Sequence, residues 1–78
     1  MKELTLKIYN GEYDNKEVDI EKFNQILDNE DCQYWENLGQ SGNDTSLLWF
    51  DVLYQAENEE QHRFNLYVNK KAYYDYFN

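Results

Sequence analysis

The chain has 78 residues, with 16 acidic against 7 basic side chains, a net charge of −9 and one cysteine. Eight Tyr, four Phe and two Trp exclude a disordered acidic chain, which would be poor in aromatics. A lone cysteine excludes an internal disulfide framework, and no stretch approaches the roughly 20 apolar residues of a membrane-spanning helix.

The predicted elements begin with residues 3–9, ELTLKIY, where Leu4, Leu6 and Ile8 alternate with Thr5, Lys7 and Tyr9. That alternation predicts a half-buried strand, ended by the turn signal Asn10-Gly11. A polar loop follows. Asp19 is placed to cap a helix, with Glu21 in its first turn. Ile20, Phe23, Ile26 and Leu27 recur at helical spacing, and Glu21, Asn24, Gln25 and Asp28 fall opposite. The helix is expected to stop near Asn29, a residue that tolerates the left-handed backbone of a helix end.

Residues 32–38, CQYWENL, read as a short strand or an extended loop. Alternation there groups Cys32, Tyr34 and Leu38 against Gln33, Trp35 and Asn37. Residues 39–44 are loop. Residues 46–54, SLLWFDVLY, put Leu48, Phe50, Val52 and Tyr54 on one face and Leu47, Trp49 and Leu53 on the other, interrupted by Asp51. Two largely apolar faces predict a central strand. An acidic connection, residues 56–61, leads to HRFNLYV, where Phe64, Leu66 and Val68 alternate with polar neighbours. The pair reads as an antiparallel hairpin with a longer loop. Asn69 offers a cap for a final helical turn over 70–77, with a further strand as the alternative.

The expected fold is α+β: one domain, 1–78, with a small antiparallel sheet of three to four strands, one main helix packed on one face, and a short C-terminal helix as an option. A chain this short buries only about 60% of its unfolded surface, so its core is thin. The sequence after Met1 holds no apolar run of signal-peptide length. With one cysteine, that gives a cytoplasmic expectation.

Site chemistry is read mostly by elimination. Asp28, Glu30 and Asp31 are oxygen ligands, but a calcium loop starting at Asp28 would need Gly where Gln33 stands and a carboxylate where Gly39 stands. Zinc needs more than Cys32 and His62. No metal or cofactor is expected. Cys32 reads as a small packing residue whose thiolate is disfavoured by its carboxylate neighbours, and His62 as a solvated strand end. A substrate cleft of several hundred Å³ has little room here, so the chain is not expected to be an enzyme.

Charge placement remains. Residues 12–36 carry nine acids and two lysines, residues 37–60 carry five acids and no base, and both ends are net positive. This surface repels nucleic acid and anionic lipid, so direct nucleic-acid and membrane binding are not expected. The expected partner is a basic, nucleic-acid-binding protein. The candidate partner-binding residues are Glu17, Glu21, Asp28, Glu30, Asp31, Tyr34, Trp35, Glu36, Glu57, Glu59 and Glu60. Carboxylates three or four positions apart on a helix sit about 5–6 Å from one another, a spacing comparable to that of DNA phosphates. Tyr34 and Trp35 are either interface anchors or core. An exposed edge strand leaves both a monomer and a homodimer open.

In its acidic stretches GEYDNKEVDIEK, DNEDCQYWE and AENEE, and in its size, the chain resembles small phage-encoded anti-defence inhibitors of the anti-CRISPR and DNA-mimic antirestriction kind. The resemblance is one of general character and carries over no functional residue. It implies a protein in the bacterial cytoplasm that occupies the nucleic-acid-binding channel of a defence nuclease. The alternative is an immunity protein that neutralises a cognate toxin.

Overall fold

A computed structural model describes residues 2–77, and its elements run helix α1 (Lys2–Tyr9), strand β1 (Lys16–Val18), helix α2 (Ile20–Asp28), strands β2 (Cys32–Gln40), β3 (Leu47–Tyr54) and β4 (His62–Asn69), and helix α3 (Lys70–Phe77). The strands form one sheet in the order β1-β4-β3-β2. The segment from β2 to β4 is an antiparallel meander. β1 pairs parallel to β4, so the sheet is mixed rather than purely antiparallel. α2 carries the chain from the β1 edge to the β2 edge.

The first element is a helix, not the expected strand. Seven residues with apolar side chains at 4, 6 and 8 satisfy both periods, because Leu4 and Ile8 are also one helical turn apart. The structure buries Ile8, packs Leu4 and Tyr9 against the core and leaves Leu6 64% exposed. Glu3 and Lys7 add an i,i+4 ion pair at 3.4 Å. The Asn10-Gly11 signal is a helix terminus rather than a strand turn. Gly11 N–H donates to the Ile8 carbonyl and Glu12 N–H to the Lys7 carbonyl, with Gly11 at φ +80°. That bonding pattern is a Schellman cap, whose left-handed position suits glycine.

α2 forms as expected: Lys22 N–H donates to Asp19 Oδ1 at 2.8 Å, and Phe23 and Ile26 are buried. It stops at Asn29, though not in the left-handed region, since Asn29 is extended at φ −65° and ψ 140°. Its buried side chain instead accepts from Asp31 N–H at 2.9 Å and donates to Thr5 Oγ1 at 3.3 Å. The exit from α2 is thereby tied to α1.

β3 is central and its alternation is fully realised: Leu48, Phe50, Val52 and Tyr54 are buried. They meet Phe64, Leu66 and Val68 of β4 beneath the helices, and Tyr54 Oη donates to the Ile26 carbonyl. Asn69 caps α3 through Ala72 N–H at 2.9 Å, which makes residues 70–77 a helix of two turns. Among the described residues three helices, not one, therefore line the core face. β1, three residues within the expected loop, is a short edge strand held by β4.

Candidate functional site

β2 is a strand that extends to Gln40, two residues into the expected loop. Its face assignment is the reverse of simple alternation. Cys32 stands opposite Tyr54, but Tyr34 stands opposite Leu53 and Trp35 opposite Val52. The extra residue is Gln33, the bulge that shifts the register. Cys32 and Trp35 consequently share the helix-covered face, while Tyr34 and Glu36 lie on the open face. A second irregularity between Asn37 and Gly39 further breaks this free edge, which discourages strand addition.

Tyr34 is therefore not core. It is 47% exposed, and its hydroxyl donates to Glu36 Oε1 at 2.8 Å. On the same open face Arg63 forks onto Asp51, with Nε to Oδ1 at 3.0 Å. That contact holds the Asp51 carboxyl below the usual carboxylate range. Trp35 is neither purely core nor purely surface. It is 45% exposed, and its ring lies 5.9 Å from that of buried Phe50.

Six of the eleven candidate residues gather at one end of the sheet. The backbone joins them: Gln55 N–H donates to the Asp31 carbonyl at 2.9 Å, and Gln55 Nε2 donates to the Glu59 carbonyl at 3.0 Å. Glu57, Glu59 and Glu60 of the β3–β4 loop thus flank the exit of α2, which carries Asp28, Glu30 and Asp31. Tyr9 reports their proximity, because burial first and then the charges of Asp31 and Glu59 push its phenol up. Glu17 sits on the β1 edge and Glu21 at the start of α2, both away from this end. The acids do not form the expected helical row. They form an end surface assembled from a helix terminus and a loop.

Among the described residues none of these six carboxylates has an ion-pair partner. Lys70 and Lys71 lie at the far end of the eight-residue central strands, roughly 24 Å away at about 3.4 Å per residue. Asp28 is placed against its own helix: it occupies the negative end of the α2 dipole, and the last turn has no basic residue.

Sequence reasoning missed two features here. His62 is not a solvated strand end: its Nε2 lies 3.0 Å from Asp14 Oδ1, and its ring stacks on Phe64 at 5.5 Å. The second is a cleft of about 160 Å³ between α2, α3 and β2, lined by Phe23, Asn24, Leu27, Asp28, Trp35, Tyr73 and Phe77. Tyr73 and Phe77, one turn apart on α3, are the signal in the sequence that could have revealed it. A more polar groove of about 250 Å³ between α1 and α2 holds Glu3, Lys7 and Lys22.

Cys32 is half-buried, with Sγ 3.8 Å from the Tyr34 carbonyl. Burial first, and then the charge of Asp28, push its thiol up, so the carboxylate effect expected from sequence is the smaller cause. Among the described residues no group of three or more His, Cys, Asp or Glu is placed to hold a metal ion. No described helix is long and apolar enough to cross a membrane. Comparison with protein-family models, curated proteins and solved structures found no match to this chain.

Proposed function

We propose that this protein is an acidic, protein-binding inhibitor that occupies the nucleic-acid-binding surface of a cationic bacterial defence protein. The observation that carries this reading is the unneutralised end surface formed by Asp28, Glu30, Asp31, Glu57, Glu59 and Glu60. Solvation alone does not account for it, since separate charges spread over the surface would keep the chain soluble at less cost in self-repulsion. Six carboxylates drawn from two distant segments create a directional negative potential. Such a field steers a basic partner and orients the encounter, and it weakens as salt screens it. Duplex DNA presents one negative charge per roughly 1.7 Å of axis, so a groove built for it accepts a dense carboxylate surface.

The test is affinity capture from bacterial lysate at low and high salt, followed by competition with duplex DNA. The expected result is a basic nucleic-acid-binding protein that is released by salt and displaced by DNA. A triple change, Glu57→Gln, Glu59→Gln and Glu60→Gln, should abolish capture without unfolding the chain, because all three residues are exposed loop positions. Capture that is insensitive to salt, to DNA and to this variant would overturn the reading.

A further inference from the structure

The cleft between α2, α3 and β2 combines features that no apolar core needs. Trp35, Tyr73 and Phe77 wall it with aromatic surface, and Phe77 is 55% exposed. Tyr73 and Phe77 are 4.8 Å apart between ring centroids, and Tyr73 lies 5.5 Å from Phe50, which also touches Trp35. Asp28 lines the same space. Among the described residues no lysine or arginine lines it, and the α2 carbonyl end adds further negative potential.

We propose that this cleft receives an arginine side chain of the bound protein, an inference that rests on the protein-binding function above. Aromatic faces attract a cation through their quadrupole, and the adjacent carboxylate accepts the guanidinium fork. An apolar occupant would strip water from Asp28 and leave its charge unpaired, a costly outcome. Arginine is favoured over lysine because its planar, weakly hydrated head stacks on rings and pairs with a carboxylate at once. At about 160 Å³ the cleft is below the ~300 Å³ floor of ordinary small-molecule sites, which fits one side chain inserted from a larger partner. The net charge of −9 supplies the complementarity at long range.

The probe is acetyl-arginine amide, titrated into the full chain while the indole N–H resonances of Trp35 and Trp49 are followed by NMR. Trp49→Phe assigns the two signals. The expected result is a saturable shift of Trp35 at millimolar concentration, weakened about tenfold in Asp28→Asn and in Phe77→Ala. Both replaced residues are exposed, and far-UV circular dichroism confirms that the variants fold. Acetyl-citrulline amide, uncharged and nearly isosteric, should give no saturable shift. Equal binding of the citrulline compound, or no binding of the arginine compound, overturns the proposal. Equal binding of acetyl-lysine amide overturns the choice of arginine. If the loop variant loses a captured partner while Asp28→Asn and Phe77→Ala retain it in full, the cleft proposal fails and the inhibitor reading stands. If arginine amide binds but no basic partner is captured, the inhibitor reading fails, and with it the assignment of the cleft to a partner's side chain.

Discussion

The two faces of strand β3 solve the same problem differently. One face buries Leu48, Phe50, Val52 and Tyr54 under three helices. The other, with Leu47, Trp49, Asp51 and Leu53, has no helix over it among the described residues, and it shields itself with cross-strand neighbours. Asp51, only 7% exposed, is held by Arg63, and Trp49 lies between Tyr67 and Gly39 in the register. The covered face is stabilised by area removed from water. The open face relies on pairwise contacts worth roughly 0.2–1 kcal/mol each. Stability is therefore concentrated on one side of a two-layer molecule, and the other side is free to change at modest cost.

The largest expected effect is on the covered face. Phe50→Ala removes a ring that touches Phe23, Trp35 and Tyr73. It should cost about 3–5 kcal/mol, measured by urea denaturation. A loss below about 1 kcal/mol would show that the helices do not depend on this layer.

On the open face, Arg63→Ala leaves the Asp51 carboxylate without its fork and should lower stability by clearly less than Phe50→Ala does. The arginine is itself mostly exposed, so nearly all of the loss belongs to the stranded Asp51. The same pair predicts an acid sensitivity. Arg63 lowers the folded pKa of Asp51 beneath the ordinary value of 3.8. Its contribution is therefore complete above that pH and is lost as pH falls through the folded value. Denaturation followed between pH 5 and pH 2, a range chosen to bracket roughly that carboxylate value, should show a decline that Arg63→Ala reduces, the remainder belonging to groups such as Asp44, which Ser46 also holds below the usual carboxylate range. A decline of equal size in the variant would assign acid sensitivity to other carboxylates.

Smaller effects are expected where local rules are broken. Asp28→Asn removes a charge from the wrong end of the α2 dipole and should stabilise the chain by about 0.3–1 kcal/mol. A melting temperature that falls instead would mean that Asp28 has a stabilising partner. Trp49→Phe is expected to be near neutral. The buried Trp49 Nε1 has no hydrogen-bond partner among the described residues, so lost ring area is offset by removal of an unsatisfied donor.

Among the site residues, Asp28 and Trp35 meet because a bulge at Gln33 turns Trp35 toward the helices. A one-residue shift exchanges every side chain between faces, and a bulge leaves no mark on composition or periodicity. The clustering of Glu57, Glu59 and Glu60 with Asp31 depends on the bond from Gln55 to the Asp31 carbonyl, across a separation in sequence that no local pattern encodes.

By itself the sequence determined the elements in which period, length and caps agree. These are α2 with Asp19 and the two hairpin strands with their strict alternation, whereas over 70–77 the cap at Asn69 left helix and strand both open. It also determined the excess of acid. Tertiary structure decided the rest. Seven residues compatible with two periods became α1, because Leu4 and Ile8 pack on the core as a helical pair while Gly11 closes the turn. Three residues without a pattern became β1, because β4 had an edge to be satisfied. Scattered carboxylates became a surface, because antiparallel pairing returns the chain to the end where α2 stops. Periodicity records only which side chains a segment can bury, whereas the neighbour it is buried against is set by long-range pairing and packing.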